Sequence, residues 1–88
     1  MRITVKLVGP LADRLPAGNP LGPNPRNASP FELAEGADVA TLLRALGLPP
    51  DLEYFAMLNE QHVPSTALSA QVLHEADAVV LLPPLKGG

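Results

Sequence analysis

Eighty-eight residues make one small domain, and with 47% of them hydrophobic a packed but thin core is expected. Six Lys/Arg are scattered among nine Asp/Glu for a formal charge of −3, so no basic patch marks a nucleic-acid binder, and one Tyr and two Phe are too few for a base-stacking platform. Cysteine is absent, which excludes a disulfide scaffold, a thiolate zinc site and a cysteine nucleophile together. No apolar run approaches the roughly 18 residues that cross a bilayer, so no membrane association is expected. Met1-Arg2 leads straight into alternating residues without the zones of a secretion signal, and a cytoplasmic protein is expected.

Residues 2–8 alternate, with Ile3, Val5 and Leu7 on one face, which predicts a half-buried strand stopped by Gly9-Pro10. Leu11 to Leu15 has room for one helical turn. From Pro16 to Pro30 the composition shifts to five Pro, two Gly and three Asn in fifteen residues, a density that no helix or central strand tolerates. The segment reads as a mobile loop, partly polyproline II, inserted into the domain. Alternation resumes at Phe31-Glu32-Leu33 as a second strand, and Gly36 turns the chain.

Val39, Leu42, Leu43 and Leu46 fall on one face of a helix. Asp38 is placed to cap its first amides, and Gly47 can take the left-handed conformation that ends it. Tyr54 to Leu58 predicts a third strand, Asn59 to His62 a turn of open type, and Val63 a brief return. Residues 65–73 suit either a helical turn or loop packing. His74-Glu75-Ala76-Asp77 forms a polar bend, and the unbroken apolar run Ala78 to Leu82 reads as a strand buried on both faces.

A hydrophobic last strand must lie inside the sheet, with the first strand as its natural neighbour. If they run parallel, the intervening strand-strand-helix stretch supplies the long connection that parallel pairing needs. One helix across a mixed sheet of four or five strands is an α+β fold, the ubiquitin-like β-grasp. A ferredoxin-like rival would need a second good helix. The domain is placed at residues 1–82 and an extended tail at 83–88.

The chemistry lies in that tail, Pro83-Pro84-Leu85-Lys86-Gly87-Gly88. Two terminal glycines leave the last carboxylate unhindered by side chains, able to pass a narrow channel. Pro83-Pro84 holds the exit extended. Six residues reach about 20 Å at roughly 3.3–3.6 Å each, far enough to bring the Gly88 carboxylate into another protein's active site. Lys86 either faces a partner's acidic mouth or is solvated spacer.

The order of elements and the ending LLPPLKGG resemble the MoaD/ThiS family of ubiquitin-like sulfur carriers. Pro83-Pro84 makes the similarity closer to the MoaD side. Val39-Ala40-Thr41-Leu42-Leu43, Asn59 and His74-Glu75-Ala76-Asp77 add to it, over residues 1–15 and 31–88. The resemblance implies that an E1-like adenylating enzyme of the MoeB/ThiF type uses ATP to activate Gly88, and that a sulfur donor protein then converts it to a thiocarboxylate. On the MoaD side it further implies transfer to a pterin precursor in a synthase whose large subunit, of the MoaE type, grips the tail. The carrier itself would be no enzyme and would hold no cofactor tightly. Two departures stand out: the Pro16–Pro30 segment in place of a short connection, and Glu60 where Gly is common in the family.

Other residues weigh less. His62 and His74 lack a ligand set at metal spacing and read as exposed polar residues. Ser65, Thr66 and Ser69 have no base-and-orienter arrangement. Val80 and Leu82, or the alternate pair Val79 and Leu81, would form an apolar docking patch if one sheet face is only partly covered. Thiazole formation, tRNA thiolation, cysteine synthesis, isopeptide modification of proteins and a non-covalent interaction module remain rivals to the molybdopterin reading.

Overall fold

The computed structural model describes residues 1–16, 18–22, 26–48 and 52–84. Strands β1 (Arg2–Leu7), β2 (Ser29–Glu32), β3 (Phe55–Leu58), β4 (Gln61–Val63) and β5 (Ala78–Leu82) form one sheet in the order β2-β1-β5-β3-β4. β1 and β5 are parallel, with Val5 opposite Val79 and Leu7 opposite Leu81; the other neighbours are antiparallel. Helix α1 (Val39–Leu46) supplies Val39, Leu42, Leu43 and Leu46 to the core. That core also holds Ile3, Val5 and Leu7 of β1, and Val79 and Leu81 of β5. A single helix over a mixed five-stranded sheet is the β-grasp arrangement.

The helix is bounded as its sequence dictates. Asp38 Oδ1 accepts from Thr41 N and from Thr41 Oγ1, both at 2.8 Å, while Gly47 turns left-handed at φ 76°. The two preceding amides are answered from elsewhere in the chain: Val39 N donates to Gln71 O (3.0 Å) and Ala40 N to Leu68 O (3.1 Å). Residues 68–73 therefore satisfy donors that a helix N-terminus leaves unpaired. This ambiguous stretch resolves into a 3-10 turn at Ser65–Ala67 and a bridge between Val72 and Asp38, with Leu73 1% exposed.

The structure redraws three expectations. β2 begins at Ser29, so Pro30 belongs to a strand; it sits in the sheet's edge strand, where its missing N–H costs no ladder bond. A 3-10 turn occupies Gly9–Arg14, earlier than the helical turn placed at Leu11–Leu15, because Gly9 takes φ 60° and Pro10 starts the turn. β5 is central, but it is buried on one face only: Val79 and Leu81 are enclosed, whereas Ala78, Val80 and Leu82 are half-buried. One helix covers one face, and nothing among the described residues layers the other.

The described part of the proline-rich segment is tied to the body. Leu21 is 7% exposed within the core, and Asn19 Oδ1 accepts from Leu21 N at 2.9 Å while Asn19 Nδ2 donates to Pro16 O at 3.2 Å. Arg26 pairs with Asp13 at 2.9 Å.

Candidate functional site: the open sheet face and the root of the tail

Alternation in the strands decides what faces away from the helix. Register aligns Lys6, Val80, Met57 and His62 in one row across β1, β5, β3 and β4, and Leu82 with Phe55 in the next. The row's apolar members gather on β5 and β3. Phe55 is 36% exposed, Met57, Val80 and Leu82 are half-buried, and the His62 ring packs edge-on to Phe55 with centroids 5.5 Å apart. On the β1–β2 side the same face is polar, with Arg2 Nε donating to Glu32 Oε1 at 2.9 Å and Lys6 exposed. Half of one face is thus an apolar surface rimmed by charge.

Of the alternative pairs on the last strand, Val80 and Leu82 lie on this open face, and Val79 and Leu81 are core. Phe55 and Met57 belong to the same patch and were not singled out from the sequence. The signal was there: in Phe55-Ala56-Met57-Leu58 the helix-facing Ala56 and Leu58 alternate with two further apolar residues that must face the other way.

Pro83 and Pro84 leave β5 half-buried at the same end of the sheet as Phe55. Leu85, Lys86, Gly87 and Gly88, the remaining tail residues expected to act, lie outside the described residues. Two grooves flank the tail's root. One, of about 490 Å³, is lined by Leu52, Tyr54, Val63, Pro64, Leu68 and Pro84 among others. Burial there holds the Tyr54 phenol above its ordinary 10.0, so it stays a neutral donor. The second, of about 400 Å³, runs between Pro10, Leu11 and Arg14 on one side and Pro83 and Pro84 on the other.

At the opposite end of the sheet the polar residues are structural. Asn59, Asp77 and the His74 backbone form a hydrogen-bonded clasp, and His74 Nδ1 lies 3.9 Å from Asp77 Oδ2. His62 stands in β4, not in the turn, because the hairpin closes on Asn59 and Glu60 alone. Both histidines are exposed, and no group of three or more His, Asp or Glu placed to hold a metal occurs among the described residues. No helix among them is long and apolar enough to cross a membrane.

The ThiS family model matches residues 25–88 of the chain. SAMP1 from Haloferax volcanii has a similar structure, with a TM-score of 0.67 over 100% of both chains and 18% identity. A chain in the complex of subunits 1 and 2 of molybdopterin-converting factor from Helicobacter pylori 26695 is similar too, with a TM-score of 0.59 over 100% of both chains and 19% identity. Identities this low speak for a shared fold, the ubiquitin-like β-grasp. No curated protein matches the sequence significantly.

Proposed function

The chain belongs to the ThiS family of ubiquitin-like sulfur carriers, and we propose that its working group is the Gly88 carboxylate, activated and converted to a thiocarboxylate. A carboxylate is a poor electrophile. In the proposed sequence an adenylating enzyme of the MoeB/ThiF type lets a Gly88 oxygen attack the α-phosphorus of ATP, and pyrophosphate leaves. Sulfide delivered by a sulfur donor protein then adds to the carbonyl carbon, the bond to AMP breaks, and the thiocarboxylate keeps a soft, nucleophilic sulfur. The carrier contributes no acid or base to these steps; it presents the reacting carbon and docks. ATP is consumed by the enzyme and is no resident cofactor of the carrier.

The observation that supports the reading is where the central strand ends. A central strand fixed on both edges runs into Pro83-Pro84, and the chain ends Gly87-Gly88. Beside that exit lies the open apolar half-face of Phe55, Met57, Val80 and Leu82, which we assign to partner docking. The recipient we propose is a pterin precursor in molybdopterin synthesis, with a large subunit of the MoaE type gripping the tail. Pro83-Pro84 ahead of the double glycine supports this choice, as does the fold shared with a molybdopterin-converting factor subunit.

Mass spectrometry tests it. After incubation with ATP, an adenylating enzyme and sulfide, the C-terminal peptide should exchange one oxygen for sulfur, and a chain lacking Gly88 should not. An unchanged peptide in the presence of an enzyme that activates another carrier would defeat the proposal.

A further inference from the structure

The tail is short beyond its last described residue. From Pro84 only four residues remain, which at roughly 3.3–3.6 Å each span about 14 Å when fully extended. An enzyme that reaches the Gly88 carboxylate must therefore press its own surface against whatever surrounds Pro84. Those surroundings are the two grooves, both mostly apolar and both edged by Leu52, Glu53 and Pro84. The larger is built by Leu52, Tyr54, Val63 and Leu68. The smaller carries Arg14 on its wall.

Arg14 is exposed and forms no ion pair among the described residues. The neighbouring carboxylate that would neutralise it, Asp13, is taken by Arg26 at 2.9 Å. Glu53 lines both grooves and is already engaged. In a chain with net charge −3, the guanidinium at the tail's root is thus a local positive site in an acidic molecule. A carboxylate on the partner is its natural complement, because an Arg fork meets two carboxylate oxygens in parallel.

We propose that these two grooves form a saddle for the lip of the adenylating enzyme's channel. An acidic side chain of the lip meets Arg14, and an apolar side chain enters the larger groove. The inference rests on the carrier reading above and adds Arg14 and the two grooves to it; the larger groove adjoins the Val80–Leu82 face through Phe55 and His62, which help line it. Contact at the saddle sets how the body seats, so the bonds made there are the same before and in the transition state. They act on KM and leave kcat alone.

Steady-state adenylation, followed by pyrophosphate release, tests the saddle with the full-length chain. Arg14→Glu should raise KM for the carrier roughly tenfold by replacing attraction with like-charge contact, with kcat unchanged. Arg14→Ala should raise it less and flatten its dependence on ionic strength. Ser65→Arg, an exposed position at the larger groove, should also raise KM by filling the groove while melting as wild type does. Arg44→Glu makes the same charge change on the exposed side of α1, and its KM should stay at the wild-type value. Wild-type KM in Arg14→Glu and Ser65→Arg, an effect confined to kcat, or an equal rise in Arg44→Glu would each overturn the saddle. The carrier reading fails separately, if wild-type chain is not adenylated at all.

Discussion

Asn59 holds the β3–β4 hairpin to the start of β5: its Nδ2 donates to Asp77 Oδ1 at 3.0 Å and its Oδ1 accepts from Ala78 N at 2.9 Å. Its backbone N–H adds a third bond, to Ala78 O at 2.9 Å. One side chain thus fixes where the central strand begins. Asn59 also sits at φ 50°, a left-handed conformation that Asn tolerates better than most residues. Asn59→Ala loses both side-chain bonds and the tolerance, and it should cost about 1–2 kcal/mol in urea unfolding.

Glu60 follows at φ 71° in the same two-residue turn. A type I′ hairpin turn needs positive φ at both positions, which is why Asn-Gly is the favoured pair. Relief of about 1–2 kcal/mol of left-handed strain is opposed by about 0.4–1 kcal/mol of extra unfolded-state entropy. Glu60→Gly should raise the unfolding free energy by a net of about 0.5–1 kcal/mol, read as a higher urea midpoint with an unchanged m-value.

Leu81 and Leu82 are adjacent and opposite in role. Leu81 is 0% exposed, so Leu81→Ala should lose about 2–5 kcal/mol. Leu82 stands half-buried on the open face beside Phe55. Leu82→Asp should leave a folded protein by circular dichroism yet weaken binding to an adenylating enzyme or synthase large subunit, read by calorimetry. Full-strength binding would remove the open face from the docking surface.

The Thr41 amide, then the Thr41 hydroxyl, hold the Asp38 carboxyl below its ordinary 3.8. A folded-state pKa below the unfolded one means that the folded chain releases this proton more readily. The cap's stabilisation is therefore complete above about pH 3.8 and is lost as pH falls through the lower folded value. Asp38→Asn should reduce the acid-side slope of stability against pH, and an NMR titration of Asp38 should show its midpoint below 3.8.

The helix was legible because three independent signals coincide within ten residues: Asp38, the apolar face from Val39 to Leu46, and Gly47. β5 was legible as central because Ala78 to Leu82 has no polar residue. That same uniformity hid which of its faces is open, since only the register with Lys6 and Met57 assigns them. Leu21 was missed as a core residue, and Leu73 was left between a helical turn and loop packing, because both lie in stretches without periodicity, where burial depends on distant partners. The tail motif was plain from sequence, whereas the grooves at its root come from Arg14, Leu52 and Leu68, far apart along the chain.

The parallel pairing of β1 with β5 joins the first strand made during synthesis to the last. Val5 and Leu7 gain their neighbours Val79 and Leu81 only after the other strands of the sheet have been made. A polypeptide cut short before Ala78 lacks the middle of its sheet and exposes the apolar side of β1 and α1, a ready target for proteolysis. Among newly made molecules, those that close their core are then the ones whose synthesis has run through β5.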